Sequence, residues 1–267
     1  MPTSLILRGE PGSALSDADF DRLVDAARRF RSANGGLFQL INRFASTLAR
    51  ATGRVEAIMQ RAFGLGLSDR MTGLAEQALT RGFQVSTVWM EGGEAAERWT
   101  GHHKFAAVAS GAGGGFLGAA GIVGDAAVTT GLIMRSIAEI ARSFPGEDLS
   151  NPETRRACIE VFTFGERVAA DEDLGASYWA ARFAFQHATI EQAIRLAAGR
   201  LGVMLSQKAV AQFVPVAGAV AGAGINYAFL SYFQDVARVH FTLREIERNS
   251  GKPDAVRAAF AQVLRQI

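Results

Sequence analysis

Two stretches of this 267-residue chain carry no charged side chain, residues 105–124 and 209–234. Each reaches the roughly 20 residues that a helix needs to cross a bilayer. Seven residues of the first are glycine, among them Gly111, Gly114, Gly115, Gly118 and Gly121. Each glycine weakens a helix by about 1 kcal/mol relative to alanine. Such density has to be offset by the close approach of another backbone. Gly111 and Gly115, Gly114 and Gly118, and Gly218 and Gly222 stand four apart, the spacing that permits this approach. These are the expected helix-packing glycines. The reading is an all-α, multi-helix bundle with two long Gly/Ala-rich apolar helical hairpins packed together.

The two stretches end alike. Glu139-Ile140-Ala141-Arg142 matches Asp235-Val236-Ala237-Arg238, and on that register Thr130 aligns with Asn226. The match suggests a twofold internal pseudo-repeat. Asp125 interrupts the first stretch, and a carboxylate in such surroundings is costly to bury. It needs a proton, a partner or water. His102, His103, Arg135 and His240 are candidate partners. A candidate polar site therefore comprises Asp125, Thr130, Arg135, Glu139, Asn226 and His240.

No segment alternates with period two, so no strand is expected. Residues 1–15 read as a flexible tail. Ser16 and Asp19 fit a capping box, followed by Phe20, Leu23, Val24 and Ala27 at helical spacing. Asn34-Gly35-Gly36 is expected to end that helix, and Leu37 to begin another that Gly53 breaks. Residues 16–66 thus form N-terminal amphipathic helices, and they are basic. Arg28, Arg29, Arg31, Arg43, Arg50, Arg54 and Arg61 face one acid, Glu56, between Arg28 and Phe63. Such a face suits either an anionic membrane surface or plain solvent. Residues 67–267 form the main helical domain. Within it, Asn151-Pro152-Glu153 opens a helix expected to run to about Ala170. Residues 177–207 read as one long helix, and breaks are expected near Pro145-Gly146 and Gly251–Pro253.

Chemistry-bearing motifs are few. Gly113 to Gly118 fits GxGxxG, with Glu139 downstream, but the fingerprint requires a preceding strand that the chain does not offer. His102 and His103 are adjacent and diverge on a helix, so they do not chelate as an i, i+4 pair would. His240 reads as a capping or snorkelling histidine, and Glu160 and Glu166 as acids on solvated faces. The lone Cys158 reads as a buried structural thiol. No catalytic residue, metal or cofactor is expected. The net charge of +2 is too small to imply nucleic-acid binding. The N-terminal apolar patch Leu5-Ile6-Leu7 is shorter than a signal-peptide core, so the cytoplasmic side is the expected location.

A resemblance extends across most of residues 70–250. It is carried by His103-Lys104, Ser110 to Gly118, Gly121, Asp125, Thr129-Thr130, Ile133 and Arg135 to Ala141. Pro152-Glu153, Arg155 to Cys158, Pro215 to Ala219, Gly224-Ile225-Asn226, Ala237, His240-Phe241 and Leu243-Arg244 continue it. This ordered set resembles the EcsC family, whose founding member is encoded beside the ATPase and permease subunits of an ABC transporter. The resemblance implies an accessory role near membrane transport and supplies no catalytic residues.

Three functions remain open on the sequence. The first is a non-enzymatic accessory protein, peripheral on the inner face of the cytoplasmic membrane, with a membrane or membrane complex as partner. The second is a soluble enzyme or ligand-binding domain with a polar pocket around Asp125. The third is an integral membrane protein with two hydrophobic hairpins.

Overall fold

A computed structural model describes residues 15–52, 67–90, 118–164, 174–185, 188–212 and 218–267. Among these the fold is all-α, with eight α-helices. They are α1 (Asp17–Thr52), α2 (Leu67–Met90), α3 (Gly118–Arg142), α4 (Pro152–Glu160), α5 (Leu174–Phe185), α6 (Ile190–Gln212), α7 (Gly218–Ser250) and α8 (Pro253–Gln266). A 3-10 turn, Val161–Thr163, follows α4. No described helix is long and apolar enough to cross a membrane.

Helix α7 lies at the centre. Phe229, Leu230, Tyr232, Phe233, Val236, Ala237, Val239, Phe241, Leu243 and Ile246 are all buried. Together they cover most of its circumference, and the remaining strip, through Asp235, Arg238, Thr242 and Glu245, is half-buried. Helix α1 runs antiparallel to it. Arg22 pairs with Glu245, Arg29 with Asp235 at 2.9 Å, and Asn34 with Tyr232 at 3.4 Å.

Helix α3 runs parallel to α7. Gln234 Nε2 donates to Ser136 Oγ at 2.7 Å, the Phe144 and Phe241 rings lie 5.9 Å apart, and Arg244 meets Glu147 at 3.0 Å. These contacts rise together along both chains at a nearly constant offset. That offset is close to the one relating Glu139-Ile140-Ala141-Arg142 to Asp235-Val236-Ala237-Arg238. The two similar segments therefore lie side by side.

Local chemistry explains where the helices depart from expectation. Asn34-Gly35-Gly36 does not end α1. The Asn34 amide donates to Phe30 O at 2.8 Å, so this buried residue is satisfied inside a continuing helix. The helix opened by Asn151 does not reach Ala170. Asn151 caps it as expected, accepting from Glu153 N at 2.9 Å. Its end is fixed by donors that take the carbonyls a longer helix would use. Thr163 Oγ1 donates to Glu160 O at 2.7 Å, Arg200 to Thr163 O, and Tyr232 Oη to Phe164 O at 2.8 Å. Residues 177–207 are two helices. Thr189 N donates to Gln192 Oε1 at 2.8 Å, and Gln192 N to Thr189 Oγ1 at 3.3 Å, a reciprocal cap that starts α6 afresh. The Ser16–Asp19 cap forms as expected. So does the break after α7, where Gly251 takes φ 65°.

Gly111, Gly114 and Gly115 lie outside the described residues, as do the surroundings of Gly118, Gly121, Gly218 and Gly222. Among the described glycines the tightest contact is at Gly202 on α6. A Cβ there would stand 2.7 Å from Thr72 Cα and 2.8 Å from Thr72 N on α2. Backbone cannot yield as a flexible side chain can. Gly202→Ala is expected to lower stability by about 2 kcal/mol. Gly131→Ala, with nothing within 4 Å, is expected to raise it by up to about 1 kcal/mol. Urea unfolding of the two variants tests the contrast, and equal effects would contradict it.

Candidate functional site

Four helices contribute one arginine each to a single groove of about 650 Å³. Arg156 comes from α4, Arg182 from α5, Arg244 from α7 and Arg257 from α8. Glu153, Glu160 and Glu247 also line it. Trp179, Ala180, Phe183, Ala184 and Pro253 form an apolar wall. Phe183 is 69% exposed, an unusual position for a large aromatic side chain. Glu153, Arg156, Ala157 and Glu160 are spaced as one face of α4, so one helix supplies both the rim and the floor.

The floor is a buried polar relay. Tyr178 Oη lies 3.1 Å from His240 Nδ1, and His240 Nε2 lies 3.5 Å from Glu160 Oε2. Glu160 Oε1 lies 3.7 Å from Arg182 Nε. The other two nitrogens of Arg182 are taken by Glu247, at 2.7 and 3.0 Å. Arg182 also stacks over Trp179 at 4.8 Å. Glu247 thus holds a bidentate pair, while Glu160 keeps two long contacts.

Burial raises the Glu160 carboxyl to about 7, against the opposing pull of Arg182 and Arg244. Burial, with the charges of Arg182 and Arg244, pushes His240 well down, so its ring is neutral. The neutral ring has one hydrogen bond among the described residues, between Nδ1 and the Tyr178 hydroxyl, and its Nε2 only approaches Glu160.

A second ion cluster adjoins the groove through Arg244. Glu147 accepts from Arg244 Nε at 3.0 Å, from Arg248 Nη1 and from Thr154 Oγ1 at 2.9 Å. Burial pushes the Glu147 carboxyl up, but these hydrogen bonds and the Arg244 charge outweigh it and hold it below the usual range. Cys158 is buried, and burial raises its thiol far above the range of a reactive thiolate.

The residues singled out from sequence fall in separate places. Thr130 and Asn226 are fully buried, at nearly the same level of the parallel α3 and α7. Arg135 and Glu139 form an i, i+4 pair at 3.2 Å. His240 lies 14 residues beyond Asn226, about 21 Å along α7. It lies fully buried behind Glu160, beneath the groove, and is not a capping or snorkelling residue. The side chain of Asp125 lies outside the described residues. Glu160 is likewise not on a solvated face, being 8% exposed. Of the basic set, Arg28 pairs with Asp25 at 3.3 Å, Arg29 with Asp235, and Arg31 with Leu264 O at 2.9 Å. The side chains of Arg43 and Arg50, and Arg54 and Arg61 entirely, lie outside the described residues.

Fold and site together define an all-α protein with a charged groove over a buried acid. The family model described as the EcsC protein family matches residues 90–246, more than half of the chain. The chain belongs to the EcsC protein family. The match covers the groove residues of α4 and α5 and Arg244 of α7, and it ends before Glu247 and Arg257. No curated protein and no solved structure gives a match.

Proposed function

We propose that this chain is a non-enzymatic accessory protein that works at a membrane transport complex and holds an anionic headgroup in the arginine groove. The observation behind this reading is the convergence of four guanidinium groups, one from each of four helices, beside an exposed phenylalanine. Arg156 has one hydrogen bond among the described residues, to Phe185 O at 2.5 Å. Its remaining N–H groups are available to an incoming oxyanion. Arg257 is over half exposed and, among the described residues, is held by Asp254 at 3.6 Å and by Trp179. Phe183 supplies the apolar contact that an acyl chain or an interfacial region favours. The transport link comes from the resemblance to the EcsC family alone.

The test is co-sedimentation with phosphatidylglycerol vesicles, with phosphatidylcholine vesicles as the neutral control. Binding to the anionic vesicles is expected at low salt, with release at high salt. Near a membrane surface an arginine is worth about 1 kcal/mol, so the double variant Arg156→Gln, Arg257→Gln is expected to bind roughly thirtyfold more weakly. Wild-type binding by the double variant would overturn the groove reading and leave the basic face of α1 as the contact.

A further inference from the structure

We propose that the groove takes up an amphiphilic monoanion together with one proton, and that the proton resides on Glu160. This rests on the reading of the groove as an anion site. Glu160 forms its floor, so an anion seated among the arginines faces this carboxyl. The charged and titratable groups that meet Glu160 or share its groove come from four helices. Glu153 and Arg156 lie on its own helix, Tyr178 and Arg182 on α5, and His240, Arg244 and Glu247 on α7, with Arg257 at the rim from α8.

Two acids compete for Arg182, and Glu247 has taken both terminal nitrogens. Glu160 is therefore the acid with the weaker compensation. An arriving anion adds a further negative charge to a groove that already holds Glu153, Glu160 and Glu247. A proton on Glu160 restores the balance and turns a repelling carboxylate into a hydroxyl that can donate to the anion. The anion and the proton enter together from solvent, the only bond made is the O–H of Glu160, and the net charge of the site is preserved. The near-neutral titration of this carboxyl places the exchange in the physiological range. The apolar wall of Trp179, Phe183 and Pro253 selects an anion with an alkyl chain, and the volume is within the range of small-molecule sites.

Calorimetric titration of the full chain with octanesulfonate tests this, because that head group keeps its charge across the pH range. Methanesulfonate, a monoanion with the same head group, serves as the tail-free control. Affinity is expected to be flat below about pH 6 and to fall about tenfold per unit well above pH 7, the slope of one linked proton. Heats measured in buffers of different ionisation enthalpy should report close to one proton taken up at about pH 8 and none at about pH 5. Glu160→Gln should bind at every pH with no proton uptake, and methanesulfonate should bind at least tenfold more weakly.

Binding without pH dependence or proton uptake would overturn the coupling and leave the anion site standing. No octanesulfonate binding at any pH by a protein that remains folded by circular dichroism would overturn the anion site itself. A lipid headgroup and a free amphiphile share this chemistry. Vesicle binding that weakens with pH in the same way assigns the lipid. Vesicle binding insensitive to pH, beside pH-dependent octanesulfonate binding, assigns the free amphiphile.

Discussion

Glu147→Ala is expected to destabilise the protein by about 3 to 5 kcal/mol at neutral pH, the loss typical of a buried ion pair stripped of one partner. The Glu147 side chain is 1% exposed and accepts from three side chains at once. It fastens the turn after α3 to α7 through Arg244 and Arg248, and to α4 through Thr154. Its removal strands Arg244, whose side chain is only 22% exposed. Arg248→Ala should be far milder, under about 1 kcal/mol, because Arg248 sits at the surface and Glu147 keeps its other donors. The pH dependence has a definite sign. The Glu147 carboxyl titrates lower in the folded protein than in the unfolded chain, so its contribution is full above the unfolded value and is lost as pH falls through the folded one. The gap between wild type and Glu147→Ala should therefore close in acid. Urea unfolding at about pH 7 and about pH 3.5 measures it, and a neutral-pH difference below about 1 kcal/mol would refute this account of the cluster.

What the sequence discloses here is what neighbours along the chain decide. The Ser16–Asp19 cap, the Asn151-Pro152 start of α4 and the Gly251 stop all rest on residues within four positions of each other. The helices they bound are legible for that reason. Asn34 was misleading because its signal is equally local. An asparagine before two glycines usually ends a helix, but Tyr232, from a distant part of the chain, meets it inside a buried contact. Thr189 and Gln192 carried a readable cap that the apolar pattern on either side obscured.

The groove is harder to see from sequence because its pairings are tertiary. Glu160 meets His240, Arg182 meets Glu247, and Glu147 meets Arg244 only after α4, α5, α7 and the turn after α3 have packed. One sequence signal did point to it. Glu160 stands alone among Ala157, Cys158, Ile159, Val161 and Phe162, and His240 stands between Val239 and Phe241. A polar residue inside an apolar helical run is a candidate for a buried face, where it must find a partner. Asp125 meets the same criterion and drew attention for it. Applied evenly, the criterion selects all three residues.

Glu160→Gln is expected to stabilise the protein at about pH 8 and to leave it nearly unchanged at about pH 4. Between those limits the wild-type carboxyl takes up a proton that the unfolded chain has already released. Its folded value is about 7 against an ordinary 4.5. A group raised in this way contributes fully below the unfolded value, and that contribution is lost as pH climbs through the folded one. A shift of this size corresponds to about 3 kcal/mol, which is what ionised Glu160 costs the fold in alkali. Glutamine has the same shape and never ionises, so it escapes the loss.

His240 acts with the opposite sign. Its value is lowered, so its neutral form supports the fold above its ordinary value, and stability falls as acid forces it to charge. That effect is present in both proteins and cancels in their difference. The measurement is the shift in urea midpoint between the two proteins at the two pH values. An unchanged or lowered midpoint at about pH 8 would mean that Glu160 is adequately paired as a carboxylate and needs no proton. A raised midpoint would mean that the native chain keeps a destabilising acid at the floor of its groove. Stabilising substitutions are easy to reach, so such an acid is best understood through what it binds.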